Sequence, residues 1–280
     1  MERLKQALER ARAEREEAKS PGIGLVQPSR KPASGSAGQV HASPAQDIVY
    51  ARTRTAAIDA ARLRERRVIT AATREPVDSA YKVLRTVLLQ RMRANGWKTL
   101  GITAARQGNG KTLTAINLAI SLAREKNQTV LLADFDLAHP SVARYLFDES
   151  LPGISDYLQG HRSLPEILVN PGIEGLVVLP GNEPIADSSE RLTSPELTSL
   201  VVELKSRYPN RMIVFDLPPV LTGDDVMAFA PNVDGLLLVV EDGVTTKDDL
   251  RRAHDTLDAS RIIGTVLNKA KAADLGYPYP

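Results

Sequence analysis

The sequence predicts an α/β fold: a mostly parallel central sheet with helices on both faces, preceded by an arm that is part helical and part disordered. Three observations carry this. From Trp97 onward, strand-like apolar runs alternate with helical patterns, as they do when parallel strands are joined by crossover helices. The runs Val130-Leu131-Leu132-Ala133, Met212-Ile213-Val214-Phe215 and Leu236-Leu237-Leu238-Val239-Val240 are unbroken, as strands covered on both faces are. The stretch Leu100–Thr112, LGITAARQGNGKT, reads as a strand, a glycine-containing loop and a helix start.

Taken in order, residues 1–19 place Leu4, Ala7, Leu8, Ala11 and Ala18 at helical spacing on a highly charged helix. Residues 20–46 are rich in Pro, Gly, Ser and Ala without periodicity, and read as a disordered linker. Residues 47–75 form an arm that is helical in part, and its RLRERR run reads as a solvated face. Pro76–Asn95 is an amphipathic helix with Tyr81, Leu84, Val87, Leu88 and Met92 on one side. Strands are expected at Thr99–Thr103, Thr129–Ala133, Leu176–Leu179, Arg211–Phe215, Gly235–Val240 and Ile262–Leu267. Helices are expected at Leu113–Arg124, Pro195–Ser206 and Thr246–Ala259. One domain thus spans 76–270, and 271–280 is a tail holding Tyr277 and Tyr279 among prolines.

Composition narrows the chemistry. With no cysteine among 280 residues, neither a disulfide framework nor a thiolate nucleophile or metal site is available. Residues 1–75 carry 15 Lys/Arg against 9 Asp/Glu, a balance of +6, which leaves −4 on the remainder of a chain of net charge +2. A basic segment ahead of a mildly acidic body suits acidic lipid, acidic protein or self-association, although a solvated basic helix explains each single stretch as well. No apolar run approaches the roughly 18–20 residues that span a bilayer. The first 19 residues are too charged for a signal peptide. The expectation is a cytoplasmic chain with no membrane span of its own, held peripherally at the inner membrane through a partner, and no nucleic-acid partner.

The loop of LGITAARQGNGKT ends in Gly110-Lys111-Thr112, and LTAINLAISLA continues at helical spacing. Strand, loop and helix in that order identify a phosphate-binding P-loop, and with it a P-loop NTPase. Backbone N–H groups across Gly108, Asn109, Gly110 and the helix start through Leu113 face phosphate oxygens. Lys111 would reach the β/γ-phosphates and the Thr112 hydroxyl would ligate Mg²⁺. The first glycine of the usual pattern is Ala105 here.

In open parallel sheets, ligands bind at the carboxyl ends of the strands. Two strands end there in acidic residues, at Asp134-Phe135-Asp136 and at Asp216-Leu217-Pro218-Pro219. Asp136 and Asp216 are placed to hold Mg²⁺, directly or through water. Asp134 is the candidate general base that accepts a proton from an attacking hydroxyl. An isolated Asp after a strand serves equally as a turn former or cap. Asn268, ending the last strand, is a candidate for hydrogen bonding a nucleotide base, or simply a turn residue. Tyr277 and Tyr279 are candidate phosphoacceptors.

From Arg67 to Lys269 the chain resembles the bacterial tyrosine autokinases of exopolysaccharide and capsule assembly, of the cytoplasmic P-loop type. The resemblance lies in AYKVLRTVLLQRM, GKTLTAINLAISLA, DFDL, PSVARYLF, PGISDYLQG, LVVLPGNEP, VFDLPPVLTGDDVMAFAPNVDGLLLVVEDG and GTVLNK. The charged first helix and linker look like the arm of family members from exosortase-type polysaccharide loci. The resemblance implies ATP and Mg²⁺ binding by Lys111, Thr112, Asp136 and Asp216, with Asp134 near the acceptor tyrosine. It also implies phosphoryl transfer to C-terminal tyrosines of a neighbouring subunit in a homo-oligomeric ring. A membrane polysaccharide co-polymerase, the chain-length regulator, is the implied partner.

Several positions depart from the family pattern. The loop has Gln107-Gly108-Asn109-Gly110-Lys111 where Pro-Gly-Glu-Gly-Lys is common. Leu137-Ala138-His139-Pro140 stands where Leu-Arg-Arg-Pro is usual, so two guanidiniums suited to phosphate or to a subunit contact are missing. The helix before the loop aligns Ser79, Lys82 and Arg85 with a Glu-x-x-Arg-x-x-Arg ring motif, with Asp78 one position off. Two readings therefore stand beside an active kinase. One is a weakly active or inactive nucleotide-binding subunit that scaffolds the export machinery. The other is a partition- or division-site-type ATPase, although Arg106 replaces the signature Lys of that class.

Overall fold

In a computed structural model, the structure describes residues 53–70, 73, 76–207, 210–257 and 261–270. The expected first helix, the linker and the tail with Tyr277 and Tyr279 lie outside those residues.

An eight-stranded sheet organises the described chain. Its strands are β1 (Arg54–Thr55), β2 (Thr99–Ala104), β3 (Thr129–Asp134), β4 (Val169–Asn170), β5 (Leu176–Leu179), β6 (Arg211–Asp216), β7 (Gly235–Glu241) and β8 (Ile262–Asn268). Their spatial order is β1-β4-β5-β3-β6-β2-β7-β8, parallel throughout except where β4 meets β5. Six of these strands coincide with the six expected ones, most running one residue further at the carboxyl end. The two-residue strands β1 and β4 lie at one side of the sheet and are too short to leave an apolar run.

The first three helices are α1 (Ala60–Glu65), α2 (Val77–Asn95) and α3 (Lys111–Ala123). Four short helices follow: α4 (Val142–Leu146), α5 (Ile154–Leu158), α6 (Leu164–Ile167) and α7 (Ser188–Leu192). The last three are α8 (Pro195–Arg207), α9 (Asp225–Phe229) and α10 (Lys247–Thr256). One core cluster lies on the sheet face covered by α2 and α3, with Leu88, Met92, Ile116 and Leu118. The other contains Leu197, Leu200 and Leu204 of α8, Phe229 of α9 and Ala253 of α10. Helices therefore cover both faces, as the unbroken apolar strands require.

Two local expectations change. On α2, Val87 is 47% exposed while Leu89 is buried, so the core-facing stripe is rotated by part of a turn from the expected one. The α2 helix then stops at Gly96, whose φ of 66° closes a left-handed cap and returns the chain to β2. The RLRERR run is not merely solvated. Leu63 is buried in the core, Arg62 pairs with Asp148, and Arg66 donates to the carbonyl of Arg144. Within the expected arm only Ala60–Glu65 is helical among the described residues.

Asn117 explains how the arm is held. It is 1% exposed in the middle of α3, accepting from Ile69 N at 2.9 Å and donating to Arg67 O at 3.1 Å. A segment packed on the core outside any helix or strand needs partners for its backbone, and one buried amide supplies two.

Strand register sets the site. In the parallel pairing of β3 with β6, Asp134 lies opposite Asp216, and on the other side of β6 Ile102 of β2 is the neighbour of Asp216. Three adjacent strands thus bring the loop after β2 and both acidic strand ends to one place. Phe135, Phe215 and Phe229 pack beneath it, with ring centroids 4.8–5.0 Å apart.

Candidate functional site

The loop after β2 leads into α3 through Gly108 and Gly110, whose φ angles of 86° and 90° are ones L side chains rarely adopt. Its far wall is the Leu217–Leu221 turn, where Val220 N and Leu221 N donate to Ala104 O and Ala105 O. Ala105 is fully buried against this turn, so the loop closes there without the usual first glycine.

Lys111 stands at the centre. Its Nζ lies 2.7 Å from Asp136 Oδ2, 3.2 Å from Asp216 Oδ1 and 3.1 Å from Thr112 Oγ1. The Thr112 hydroxyl donates to Asp216 Oδ2 at 2.6 Å, and Ser141 Oγ is 3.2 Å from Thr112 Oγ1. Asp134 Oδ2 accepts from Ser141 N and Val142 N at 2.8 and 2.9 Å, so it caps the start of α4. Asp134 Oδ1 is buried and has no hydrogen-bond partner among the described residues.

The electrostatics are unbalanced. Asp134 and Asp216 are fully buried, Asp136 is 3% exposed, and a single ammonium faces all three. Burial alone would lower the Lys111 pKa, but Asp216 and then Asp136 hold it above its usual value, so it stays charged. Desolvation raises Asp216, with the Lys111 ammonium opposing. Asp134 is pushed up to about 7, first by desolvation and then by the negative charge of Asp216 across the strand pair. A set of hard oxygen donors with surplus negative charge fits a divalent cation, and Mg²⁺ commonly takes only one or two protein carboxylates beside phosphate and water. Among the described residues, no group of three or more His, Cys, Asp or Glu side chains forms a complete metal cage. Thr112, Asp136 and Asp216 are the residues that would hold the ion jointly with a phosphate.

The outer side of the loop holds residues that pattern reading missed. Arg106 forms a forked contact with Asp249 Oδ1, at 3.0 Å from Nε and 2.7 Å from Nη2. These hydrogen bonds pull Asp249 down to about 2. Asn109 Oδ1 accepts from Arg106 N and its Nδ2 donates to Glu241 Oε2 at 3.1 Å. Asn268 donates from Nδ2 to Asn109 O at 2.9 Å, and Lys269 Nζ reaches Gly108 O at 3.0 Å and Glu241 Oε1 at 2.8 Å. The sequence signals of Ser141, Glu241, Asp249 and Lys269 are faint: Glu241 ends β7, Lys269 follows β8, Ser141 precedes α4 and Asp249 lies in the first turn of α10. Leu113 is half-buried in the first turn of α3.

Lys82 and Arg85, aligned with the ring motif, and the neighbouring Asp78 are engaged within the chain. Asp78 sits 2.7 Å from both Lys82 Nζ and Arg124 Nη1, and Arg85 donates to Ser121 O at 3.0 Å. They fasten α2 to α3.

A family model described as an AAA domain matches residues 97–241. Tyrosine-protein kinase YwqD of Bacillus subtilis (strain 168) is 30% identical over 202 residues, covering 70% of this chain and 84% of that protein. This chain belongs to the bacterial tyrosine-protein kinase family. The crystal structure of the VpsO kinase domain superposes on this kinase-family chain with a TM-score of 0.61 at 30% identity, over 69% of this chain and 96% of that one. Succinoglycan biosynthesis transport protein ExoP of Rhizobium meliloti (strain 1021) is 27% identical over 215 residues, which are 75% of this chain but 27% of that longer protein. No helix among the described residues is long and apolar enough to cross a membrane.

Proposed function

We propose that this chain binds ATP with Mg²⁺ and transfers the γ-phosphoryl group to tyrosine hydroxyls, as an autokinase regulating exopolysaccharide or capsule polymerisation and export. The observation that carries the reading is the buried cluster in which Lys111 and Thr112 of the phosphate loop meet Asp136 and Asp216. In this reading the Lys111 ammonium leaves the carboxylates for the β/γ-phosphates. Thr112, Asp136 and Asp216 would hold Mg²⁺ beside the phosphates, where the ion would supply neutralisation of phosphate charge. The loop N–H groups fix the phosphate chain in line with the acceptor.

Transfer forms a bond between the tyrosine oxygen and the γ-phosphorus and breaks the bond from that phosphorus to the β,γ-bridging oxygen, releasing ADP. In this reading the tyrosine proton passes to Asp134, whose Oδ1 has no hydrogen-bond partner among the described residues. Tyr277 and Tyr279 are the proposed acceptors, on a neighbouring copy of the chain. A larger assembly is supported by the ExoP match, in which a similar segment is one part of a longer transport protein. A membrane polysaccharide co-polymerase is the proposed partner, holding this chain at the cytoplasmic side of the inner membrane. The charged segment of residues 1–19 and the linker after it are the proposed contact with that partner.

A second reading keeps nucleotide binding and drops catalysis. It is favoured by the Ala138-His139 pair in place of two arginines, with His139 exposed beside Asp136. Incubation with ATP and Mg²⁺ followed by phosphotyrosine detection separates the two. Label lost in a Tyr277→Phe/Tyr279→Phe variant supports the autokinase. Absence of any label, even with the co-polymerase present, leaves the scaffold reading.

A further inference from the structure

We infer that Asn268 and Lys269, acting through the carbonyls of Asn109 and Gly108, are positioning residues that aim the phosphate loop, and that Glu241 holds Lys269 and the Asn109 side chain in place. The inference rests on the nucleotide-binding reading above.

The argument begins with peptide geometry. In a trans peptide the C=O and the following N–H point in opposite directions. The Gly108 carbonyl shares its plane with Asn109 N–H, and the Asn109 carbonyl shares its plane with Gly110 N–H. Lys269 Nζ holds the first carbonyl at 3.0 Å and Asn268 Nδ2 holds the second at 2.9 Å. Both partners stand at the end of β8, on the outer side of the loop. The two N–H groups therefore point the other way, and among the described residues neither has a protein acceptor. Two adjacent unpaired N–H groups in a glycine loop form an anion-binding concavity.

The holding groups are themselves held. Asn268 Oδ1 accepts from Lys269 N at 2.9 Å, which orients the amide so that Nδ2 faces the loop. Glu241 binds Lys269 Nζ through Oε1 and Asn109 Nδ2 through Oε2. Asn109 in turn accepts from Arg106 N across the loop. An asparagine serves here because it gives an acceptor to Arg106 and a donor to Glu241 at once, whereas a glutamate at 109 would set two carboxylates face to face. Gly110 leaves room for this arrangement, since a Cβ there would come within 2.1 Å of Asn268 Nδ2.

The test measures dissociation constants of the full chain for Mg–ATP, Mg–GTP and inorganic tripolyphosphate, in wild type, Asn268→Ala, Lys269→Ala and Glu241→Gln, with melting temperatures alongside. Losing a hydrogen bond that aims a loop is expected to weaken binding by about 3- to 10-fold for each variant. The loss should be equal for all three ligands and leave the melting temperature unchanged. Glu241→Gln supplies the sign. Removing a carboxylate near bound phosphates would tighten binding by charge alone, whereas loosening the loop weakens it. Overturning results are a loss confined to ATP with tripolyphosphate unaffected, tighter binding by Glu241→Gln, or no change. Wild-type protein that binds none of the ligands overturns the nucleotide reading and this inference together; binding by wild type with unaltered variants overturns this inference alone.

Discussion

The two flanks of the phosphate loop solve opposite problems. On the inner flank Lys111, Asp134, Asp136 and Asp216 are nearly or fully buried, and three carboxylates face one ammonium. On the outer flank the charges come in matched pairs, Arg106 with Asp249 and Lys269 with Glu241, with Arg106 58% and Lys269 44% exposed. Buried unbalanced charge is costly, and it persists where a ligand is meant to complete it. Matched pairs whose cations lie in solvent are screened and add modest stability, so their value lies in geometry. The inner flank is built for chemistry and the outer one for aim.

The strongest way to break this contrast is Lys111→Ala. It removes the ammonium from two buried carboxylates and from the phosphates. ATP affinity measured calorimetrically should fall at least about 100-fold, the loss of more than one charge-assisted contact. The unliganded protein should also lose roughly 3 kcal/mol in denaturant unfolding. Retained binding would place the nucleotide elsewhere.

Asp216→Ala comes next. It removes the acceptor of the Thr112 hydroxyl and one carboxylate of the metal set. The Mg²⁺ concentration needed for half-maximal ATP binding should rise by about tenfold, comparable to the loss of a metal-site contact.

The effect of Asp134→Asn depends on pH. In protein free of nucleotide and metal, the Asp134 pKa of about 7 lies well above its unfolded value of roughly 4. Between those values the folded state binds the extra proton, so stability falls as pH rises from about 4 to about 7 and stays lower above. Asparagine cannot ionise, so the variant should melt higher than wild type at pH 8.5 and no higher at pH 4. A constant difference across pH would remove Asp134 from the charged cluster.

Arg106→Gln should be the mildest. The fork to Asp249 is partly screened by solvent, so ATP binding should weaken by about threefold or less, with the melting temperature nearly unchanged. A loss as large as that of Lys111→Ala would erase the distinction between the flanks.

Much of the inner flank was legible in the sequence. Gly110-Lys111-Thr112 and the acidic ends of β3 and β6 are local signals, because strand ends and a glycine loop leave their marks in consecutive residues. The outer flank was not legible: Arg106 meets Asp249 and Asn109 meets Glu241 across more than 130 residues of chain. Asn117 is similar, a polar residue inside an apolar helix that only the arm crossing it explains. Val87 and Leu89 exchanged roles because α2 packs on α3 through contacts that helical spacing alone does not set.

The sequence by itself determined the sheet, its six longer strands, the phosphate loop and the identity of the residues at its centre. It did so because apolar runs, glycines and strand-ending aspartates act over a few residues at a time. Tertiary structure alone decided that Asp134 stands opposite Asp216, that Lys111 lies between Asp136 and Asp216, and that Asn268 turns its amide to the loop. Strand order and the closing of distant elements on one another create those contacts, and with them the burial that shifts the Asp134 and Lys111 protons.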